Sequence, residues 1–544
     1  MADHKLNVLT TTANEIQHLL STSRTTSVSL VKAYLAQIAA HNHTGVHLNA
    51  LISIAPEALL LETASCLDSE RASGHLRSSL HGTPIVLKDT FLTSTTNLGL
   101  PTTCGSPALA TATSESNSPL VQTLVDAGLI ILGKANMTEL CGLKMRALTP
   151  GWSPMGGQTQ NPYVFGGLEE NEILLGNSSA GGSSSGSAVC VAAGFAPLAL
   201  GTEVAGSVVT PSNRAGVYAL KCGVGIVEGR GDFGYWDGLD CVGAMGKGAE
   251  DVGLLARVIM GRKEVWDSDR GFEGLRIGVL DPEVWHLPET ITVYPGKTKQ
   301  VMEKGFWAAA EKMKRRGAVV RNIDLPLPWD AFRFSEADFP ASDEHGMPVS
   351  EPCVVNEEIE SSGNDGDGTS SEQKSLFQET CMHHLRTTRM PAFLSSFKTS
   401  EIRSLGDMVA WNEAHRDVAL PPSHPSQHEI IELLSNRTTP EQAEAMAREI
   451  RKRGREALDP MFQSVDVLVA LGDSPLCTYA AGAGYPIATA PLETIQYSNE
   501  NERPFGLCFV AKGGGEETLL KFMRGCEAAF ERRPLPKPLM TKRE

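Results

Sequence analysis

The sequence lacks the features that mark several large classes of protein. It contains no uninterrupted apolar run of about 18 residues, so we expect no membrane-spanning helix. Its first residues, MADHKLNVLTTTANEIQHLL, have no basic segment followed by an apolar core, so a secretory signal is not predicted. The net charge of −16 disfavours non-specific binding to nucleic acid or to an anionic membrane.

Cysteine and histidine are present, but their spacing does not indicate a metal site. The 11 cysteines are scattered, odd in number and include no CxxC pair, so neither a zinc site nor a disulfide framework is predicted. His383 and His384 are adjacent, and adjacent residues do not share a helix face, so we assign them no role. A reducing, cytoplasmic location is therefore the default expectation.

Apolar strands and amphipathic helices alternate along the chain. The apolar run Ile85 to Leu87 ends on polar residues and predicts a buried strand. Ser118 as N-cap, Pro119 at the first helical position and Gly128 at the end bound a helix, and the run 129–132 predicts a second buried strand. The length of 544 residues suggests two to four domains, although single large α/β domains also reach it. The alternation predicts an α/β fold whose sheet is covered on both faces.

One segment breaks this alternation. Residues 357–375, EEIESSGNDGDGTSSEQKS, are acidic, rich in serine and glycine and almost free of apolar side chains. Such a composition predicts a disordered surface insertion, and a linker between domains is the alternative. The insertion is favoured because the α/β pattern resumes afterwards, in VDVLVAL.

Residues 178–212, SSAGGSSSGSAVCVAAGFAPLALGTEVAGSVVTPS, are rich in glycine and serine and allow three interpretations. A Walker-type phosphate loop needs a lysine after its glycines, and a dinucleotide fingerprint needs another glycine spacing, so a phosphate-binding loop is disfavoured. A flexible linker is disfavoured because the stretch continues into the apolar AVCVAAGFAPLALG. A loop that carries a serine nucleophile remains.

A serine hydroxyl needs a base to take its proton before it can attack a carbonyl carbon. None of the 14 histidines lies within this stretch, although a distant one could fold in, and the G-x-S-x-G pattern is missing around Ser207. Lysine is the other base used with serine, and it serves when burial keeps it neutral near pH 7. Lys88, which ends an apolar strand, is placed for that role.

Several motifs, in a fixed order, resemble those of the amidase signature family of Ser–Ser–Lys hydrolases. They are GTPIVLKD, LPTTCGSPAL, LVDAGLIILGKANMTEL, GGQTQNP, GGSSSGSA and LGTEVAGSVVTPSNRAGVYALK, with a closing segment that ends in PFGLCFVAKGGGEETLLKF. The segment SLGDMVAWNEAH looks most like the fungal acetamidase and peptide-amidase-like members. The resemblance spans residues from about 10 to about 535, and the ordered set is far more specific than any single motif.

The resemblance implies a fold and three catalytic roles. The fold is a single three-layer α/β/α amidase-signature domain, residues 1–544 with a core at about 10–535, built on a large mixed β-sheet. Lys88 matches the catalytic lysine, Ser183 the bridging serine with its cis peptide bond, and Ser207, 24 residues further on, the nucleophile. Ser183 would also contact the substrate, and no metal or organic cofactor is implied. The oxyanion would be held by the backbone N–H groups of Val204, Ala205, Gly206 and Ser207.

The sequence departs from the family pattern next to the nucleophile. Where the family usually has G-T-D-x-G-G-S-x-R, this chain has Glu203 for the aspartate, Ala205 for a glycine and Val209 for the arginine. A buried carboxylate without a partner is costly. We therefore expect Arg214 to replace the missing arginine beside Glu203.

The resemblance predicts an amidase that hydrolyses a carbon–nitrogen bond of a small or medium carboxamide through an acyl-enzyme. The substrate pocket is expected to include parts of 137–175 and 380–415, and a fungal role in nitrogen use or secondary metabolism is compatible with the resemblance. Two alternatives stay open: acyl or amido transfer by the same acyl-enzyme, and a catalytically impaired scaffold member of the fold. The expected partners are a small amide substrate and at most a second copy of the chain as a homodimer, with neither nucleic acid nor membrane.

Overall fold

The computed structural model describes residues 6–144, 149–170, 172–227, 231–262, 271–334, 338–339 and 374–540. The acidic insertion predicted at 357–375 lies outside these ranges except for its last two residues. Within the described ranges, no helix combines the length and the apolar character needed to cross a membrane.

The described strands are numbered β1 to β15 in chain order. Their bounds are Leu51–Ile54, Pro84–Lys88, Ile130–Ala135, Trp152–Ser153, Gly157–Gln158, Leu198–Glu203, Tyr218–Lys221, Cys241–Gly246, Arg276–Val279, Val319–Asn322, Arg333–Phe334, Lys374–Ser375, Val467–Leu471, Ile487–Gln496 and Glu502–Val510. Eleven of them form one sheet, while β4 pairs with β5 and β11 with β12 in two small sheets.

The described α-helices are numbered α1 to α17 in the same way. Their bounds are Ala13–Ser21, Ser27–His41, Glu57–Ala72, Pro119–Asp126, Ser185–Ala192, Val209–Arg214, Ala249–Ile259, Thr298–Arg315, Leu376–His384, Met390–Ser395, Leu405–Ala414, Arg416–Ala419, His428–Ser435, Pro440–Leu458, Leu476–Ala483, Glu516–Ala529 and Lys537–Met540. Single 3-10 turns lie at Pro107–Leu109, Glu139–Gly142 and Met461–Gln463, and a π-helical turn at Leu385–Arg389 follows α9.

The elements read from the sequence around the second and third strands are confirmed. The predicted run 85–87 lies inside β2, and the run 129–132 overlaps β3. Ser118 caps α4 by accepting a hydrogen bond from the backbone N–H of Val121, and Pro119 is the first helical residue. Gly128 follows the helix with φ +82°, a left-handed conformation that favours glycine.

The large sheet is mixed, as the resemblance implied. Its strand order is β1-β3-β2-β6-β8-β7-β14-β15-β13-β9-β10. Pairing is parallel for β3–β2, β2–β6, β13–β9 and β9–β10, and antiparallel for the other neighbours. The parallel strands β2, β3 and β6 are buried along their whole length, which explains why they read as continuous apolar runs.

Two glycines of β8 show that helices cover both faces of the sheet. Gly243 and Gly246 are three positions apart and therefore point to opposite faces. A Cβ atom on Gly243 would lie 2.6 Å from Val208 Cγ1, immediately before α6. A Cβ atom on Gly246 would lie 2.6 Å from the Cβ atom of Asp251, which belongs to α7. Helices on the two faces complete the predicted α/β/α arrangement.

The parallel neighbours β2 and β6 place the candidate site. Lys88 is the last residue of β2, and Glu203 is the last residue of β6. Since parallel strands end at the same edge of a sheet, the loops that follow them meet there. The segment 204–208, which contains Ser207, leaves the sheet at this edge.

Candidate active site

Lys88 lies in a polar cradle at the end of β2. Its side chain is fully buried. The Nζ atom lies 2.8 Å from Ser183 Oγ, 3.0 Å from Thr202 Oγ1 and 3.3 Å from the Thr202 carbonyl oxygen. The predicted meeting of Lys88 with Ser183 is thus present in the structure, and Thr202 is an additional neighbour.

The carboxylate nearest to Lys88 in sequence is directed elsewhere. Asp89 pairs with Lys134 of β3 at 3.1 Å, and both side chains are buried. The Asp89 carboxylate also accepts hydrogen bonds from the backbone and the hydroxyl of Thr103. Burial lowers the pKa of Lys134, and the Asp89 charge opposes this effect. The charge of Asp89 is therefore matched by Lys134, and no carboxylate of the described chain pairs directly with Lys88.

Ser183 lies in the loop before α5, next to the start of that helix. The peptide bond between Gly182 and Ser183 is cis, as the resemblance implied. The Ser183 carbonyl oxygen accepts a hydrogen bond from the backbone N–H of Thr138 at 3.2 Å. Ser184 occupies the N-cap position of α5, so Ser183 itself is not the cap.

Ser207 lies in the short loop between β6 and α6. Its carbonyl oxygen accepts a hydrogen bond from the backbone N–H of Ser184 at 3.1 Å, which joins the two serine-bearing loops. The side chain of Ser207 is half-buried, and it lines the same cavity as Ser183. Within the described chain the two hydroxyl oxygens are not hydrogen-bonded to each other. Such catalytic contacts often tighten only when substrate binds.

The cavity that both serines line has a volume of about 260 Å³. Its wall is mostly apolar or aromatic, with one carboxylate. The lining residues are Cys141, Ser183, Thr202, Val204, Ala205, Ser207, Tyr235, Asp240, Phe377, Gln378 and Cys381. The Asp240 carboxylate accepts hydrogen bonds from the backbone N–H groups of Tyr235 and Trp236, both at 2.7 Å.

The loop before Ser207 presents backbone N–H groups near the cavity. Val204 and Ala205 line the cavity, and Ala205 is exposed. Gly206 is buried with φ +90°, and a Cβ atom there would lie 3.0 Å from Thr210 Oγ1. Within the described chain, the backbone N–H groups of residues 204–207 donate no hydrogen bond to another residue. They are therefore available to a ligand oxygen.

The expected pairing of Arg214 with Glu203 is wrong. Glu203 Oε2 accepts hydrogen bonds from the backbone N–H groups of Val208 at 2.6 Å and Val209 at 2.9 Å. Glu203 therefore holds the start of α6 directly after the nucleophile loop. Because it binds backbone N–H groups, this contact does not require an arginine side chain at position 209. Arg214 is at the end of α6 and points toward a different carboxylate.

Arg214 belongs to a buried charge cluster around Asp473. The Asp473 carboxylate lies 3.1 Å from Arg214 and 3.0 Å from Arg503, and it accepts a hydrogen bond from Asn213 at 2.9 Å. Arg214 also donates to the carbonyl oxygens of residues 175 and 176. Burial raises the pKa of Asp473, but the two guanidinium charges outweigh it, so the pKa is held below its ordinary value. The cluster fastens α6 to the strands beneath it.

Several cavity residues were missed by sequence reasoning. Thr202 lies within the motif GTEVAGS, directly before Glu203, so the motif could have indicated that Thr202 belongs to the site. Cys141 and Cys381 do fall inside the segments 137–175 and 380–415 that were expected to line the pocket. Tyr235 and Asp240 carry no signal in a single sequence, because only the fold brings 235–240 against the serine loops.

The fold has close relatives among solved structures. The peptide amidase of Stenotrophomonas maltophilia superposes with a TM-score of 0.76 at 27% identity, covering 97% of this chain and 98% of that structure. An amidase family protein from Bacillus anthracis also superposes with a TM-score of 0.76, at 24% identity, covering 97% of this chain and 93% of that one. The fold is that of the amidase-signature enzymes.

Sequence relatives define the family. A family model described as Amidase matches residues 29–337. The chain is 27% identical to a Schizosaccharomyces pombe protein that is provisionally named as an amidase, over 97% of this chain and 86% of the relative. It is 33% identical to one component of the glutamyl-tRNA(Gln) amidotransferase of Symbiobacterium thermophilum, over 58% of this chain and 60% of the relative. The chain belongs to the amidase family, hydrolases that act on carbon–nitrogen amide bonds.

Proposed function

We propose that this amidase works through a Ser–Ser–Lys relay in which Lys88 is the base, Ser183 the proton carrier and Ser207 the nucleophile. The observation that carries the proposal is the 2.8 Å distance between Lys88 Nζ and Ser183 Oγ. A neutral amine has two N–H groups and one lone pair. Thr202 supplies an acceptor for each N–H group, its hydroxyl and its carbonyl oxygen, which leaves the lone pair for the Ser183 hydroxyl.

The proton path then follows the chain of contacts. Lys88 accepts the proton of Ser183, and Ser183 accepts that of Ser207 while Ser207 Oγ bonds to the amide carbon. The carbonyl oxygen becomes an oxyanion, which the N–H groups of residues 204–207 hold. The relay returns a proton to the amine nitrogen as the carbon–nitrogen bond breaks. Water then cleaves the acyl-enzyme, and no metal or organic cofactor takes part.

The cavity supports a small or medium carboxamide as the substrate. Its volume of about 260 Å³ is close to the lower end of the roughly 300–1,000 Å³ of ligand pockets. Asp240 is the one charged side chain among the lining residues of the described chain. A carboxylate in the wall opposes a second carboxylate, so we expect uncharged or cationic amides to be preferred over amides that carry a free acid.

Transfer of the acyl or amido group to another acceptor is the second candidate function. It is favoured by the similarity to a component of a glutamyl-tRNA(Gln) amidotransferase. The two candidates share the acyl-enzyme and differ in what cleaves it. Turnover without an added acceptor separates them, because a hydrolase releases the acid in water alone, whereas a transferase that excludes water turns over only when an amine or alcohol acceptor is supplied.

Several wider features belong to the same proposal. The chain is proposed to be one domain, residues 1–544, that acts in the cytoplasm with neither nucleic acid nor membrane as partner and at most as a homodimer. A fungal role in nitrogen use or secondary metabolism is proposed on the resemblance alone. Turnover of primary amides, anilides and acyl-amino-acid amides would define the natural reaction.

A fluorophosphonate probe tests the nucleophile directly. The probe should label Ser207, and Ser207→Ala should abolish the labelling because the reacting oxygen is gone. Labelling that persists in Ser207→Ala, or a wild-type enzyme that is never labelled, contradicts the proposal and favours the scaffold alternative.

Lysine as the base has a separate test. Lys88→Ala should abolish turnover, and the wild-type rate should rise with pH because only the neutral amine accepts a proton. A rate that stays flat from about pH 5 to about pH 10 would exclude lysine as the base.

A further inference from the structure

Two side chains of opposite charge are buried beside the nucleophile loop, and neither forms an ion pair within the described chain. Glu203 is 1% exposed, and its Oε1 atom makes no hydrogen bond within the described chain. Lys221 is fully buried, and its Nζ atom likewise makes no hydrogen bond with a described residue. Since burying an isolated charge is costly, each group needs a counter-charge nearby.

The sheet register places both side chains on one face. Glu203 of β6 pairs with Cys241 of β8, and Lys221 of β7 pairs with Gly243 of β8. Directly paired residues, and residues two apart on one strand, point to the same face of a sheet. Glu203 and Lys221 therefore project to the same side, one on each flank of β8.

The strand between the two side chains carries Gly243 at this point, so no β8 side chain separates them at the sheet surface. Gly243 has no side chain, and the side chain of Val208 packs over it. Two strand spacings and an offset of two residues separate the Cα atoms of Glu203 and Lys221 by about 12 Å. A glutamate and a lysine side chain can together span most of that distance.

The thiol of Cys477 lies beneath the nucleophile loop, and both charges influence it. Cys477 belongs to α15, and its Sγ atom would lie 3.5 Å from a Cβ atom on Gly206. Burial, and to a smaller extent the carboxylate of Glu203, raise the pKa of this thiol to about 12, while Lys221 acts in the opposite direction. Both charges thus act on one atom beneath the nucleophile loop.

Two other carboxylates, Asp473 and Glu516, are alternatives to Glu203. Asp473 already faces two guanidinium groups. Glu516 accepts a hydrogen bond from the backbone N–H of Gly223 through Oε1, while its Oε2 atom makes none within the described chain. Burial, and then the charge of Glu516, raise the pKa of Cys222, and Lys221 lowers it. Cys222 follows Lys221 directly in the chain, so its side chain points to the opposite face of the sheet. Glu203 is the carboxylate that the strand register places on the same face as Lys221.

We propose that Lys221 is the counter-charge of Glu203 and thereby a positioning residue for Ser207. The two charges attract through a buried, low-dielectric region in which such an interaction is weakly screened. Lys221 fixes the position of the Glu203 side chain, and Glu203 holds the backbone N–H groups of Val208 and Val209 directly after Ser207. The inference rests on the proposed role of Ser207 as the nucleophile.

A double-mutant cycle tests this pair with the rate of fluorophosphonate labelling at Ser207. Lys221→Met and Glu203→Gln should each lower the maximal labelling rate about tenfold, with a nearly unchanged half-saturating probe concentration. The double variant should label no more slowly than the slower single variant, because removing both charges leaves neither of them buried alone. Lys221→Arg, which keeps the charge, should retain more of the rate than Lys221→Met.

Lys247→Met is the matched control. Lys247 is also a buried lysine, but its Nζ atom donates to the carbonyl oxygens of Val8 and Thr11, away from the cavity. The double variant Lys247→Met with Glu203→Gln should lower the labelling rate by the product of the two factors measured for the single variants. Should Lys221→Met prove insoluble, the double variant should recover solubility, and a double variant that stays insoluble would overturn the pairing.

The outcomes separate the two proposals. A wild-type enzyme labelled at Ser207 whose Lys221 and Glu203 variants combine multiplicatively overturns the charge pair and leaves the nucleophile in place. A Lys221→Met variant that is labelled at the wild-type rate also overturns the charge pair and leaves the nucleophile in place. A wild-type enzyme that is not labelled at Ser207 overturns the proposed function itself.

Discussion

Thr202 Oγ1 lies 3.0 Å from Lys88 Nζ, so the residue that ends one strand is held by a side chain of its parallel neighbour. Thr202→Val keeps the shape and removes this acceptor. We expect turnover to fall about five- to tenfold, the effect of one lost hydrogen bond. Thr202→Ser should restore most of the rate. Equal rates for Thr202→Val and wild type would show that the hydroxyl does not orient Lys88.

The charge cluster under α6 should carry much of the stability of this region. Asp473→Asn leaves the guanidinium groups of Arg214 and Arg503 buried without a carboxylate. We expect the free energy of unfolding, measured in urea, to fall by about 3–5 kcal/mol.

Glu250→Gln is the control for that measurement. Glu250 pairs with Arg524 at 3.0 Å, but its side chain is 31% exposed. Its removal should cost less than about 1 kcal/mol. Similar losses for both variants would contradict a special role for the buried cluster.

The close contact over β8 predicts an effect of a single methyl group. A Cβ atom on Gly243 would lie 2.6 Å from Val208 Cγ1, so Gly243→Ala must displace the residue that follows Ser207. We expect destabilisation of about 1–3 kcal/mol and a labelling rate at Ser207 that falls at least about fivefold. Gly406→Ala, in helix α11, should not destabilise the protein and should leave the labelling rate unchanged, because the nearest atom there is 3.6 Å away.

The stacked pair Trp152 and His424 predicts a pH dependence of stability. Their ring centroids lie 3.8 Å apart with an interplanar angle of 5°. Burial, with a smaller effect of Lys144, lowers the pKa of His424 from 6.5 to about 4. Between these values the unfolded chain binds more protons than the folded chain, so stability is lost as the pH falls from 6.5 toward 4.

His424→Phe isolates that contribution. The variant should lose less stability than the wild type over the same pH interval, measured as the difference in urea unfolding free energy. Above about pH 7, the unfolding free energies of the two proteins should change with pH in the same way. Parallel curves for wild type and His424→Phe at acid pH would show that His424 is not kept neutral by the fold.

The sequence predicted the central contact of the site because that contact is encoded in ordered motifs. Lys88 and Ser183 were both assigned by motif, and the structure brings them within 2.8 Å. The strands next to them were also predictable, since buried parallel strands read as continuous apolar runs. The nucleophile role of Ser207 stays a prediction until it is labelled.

Partners that lie far along the chain could not be predicted. Arg214 was assigned to Glu203 because the two are close in sequence, but Asp473 and Arg503 lie more than 250 positions away and approach only through the sheet. The part of the cavity wall that α9 supplies is likewise far along the chain from the serine loops and approaches them only in the folded protein. Phe377 belongs to a helix without a motif, so only its packing shows that it faces the serines, whereas Cys381 lies within the segment 380–415 that was expected to line the pocket.

The parallel pairing of β2 with β6 joins Lys88 to a residue 114 positions later in the chain. Closing so long a loop is slow compared with forming a helix or a turn. A molecule that stops before this step contains every residue of the relay and no active site. The fraction of molecules that a fluorophosphonate labels would then report how much of a preparation has completed this crossover, a quantity that total protein concentration does not measure.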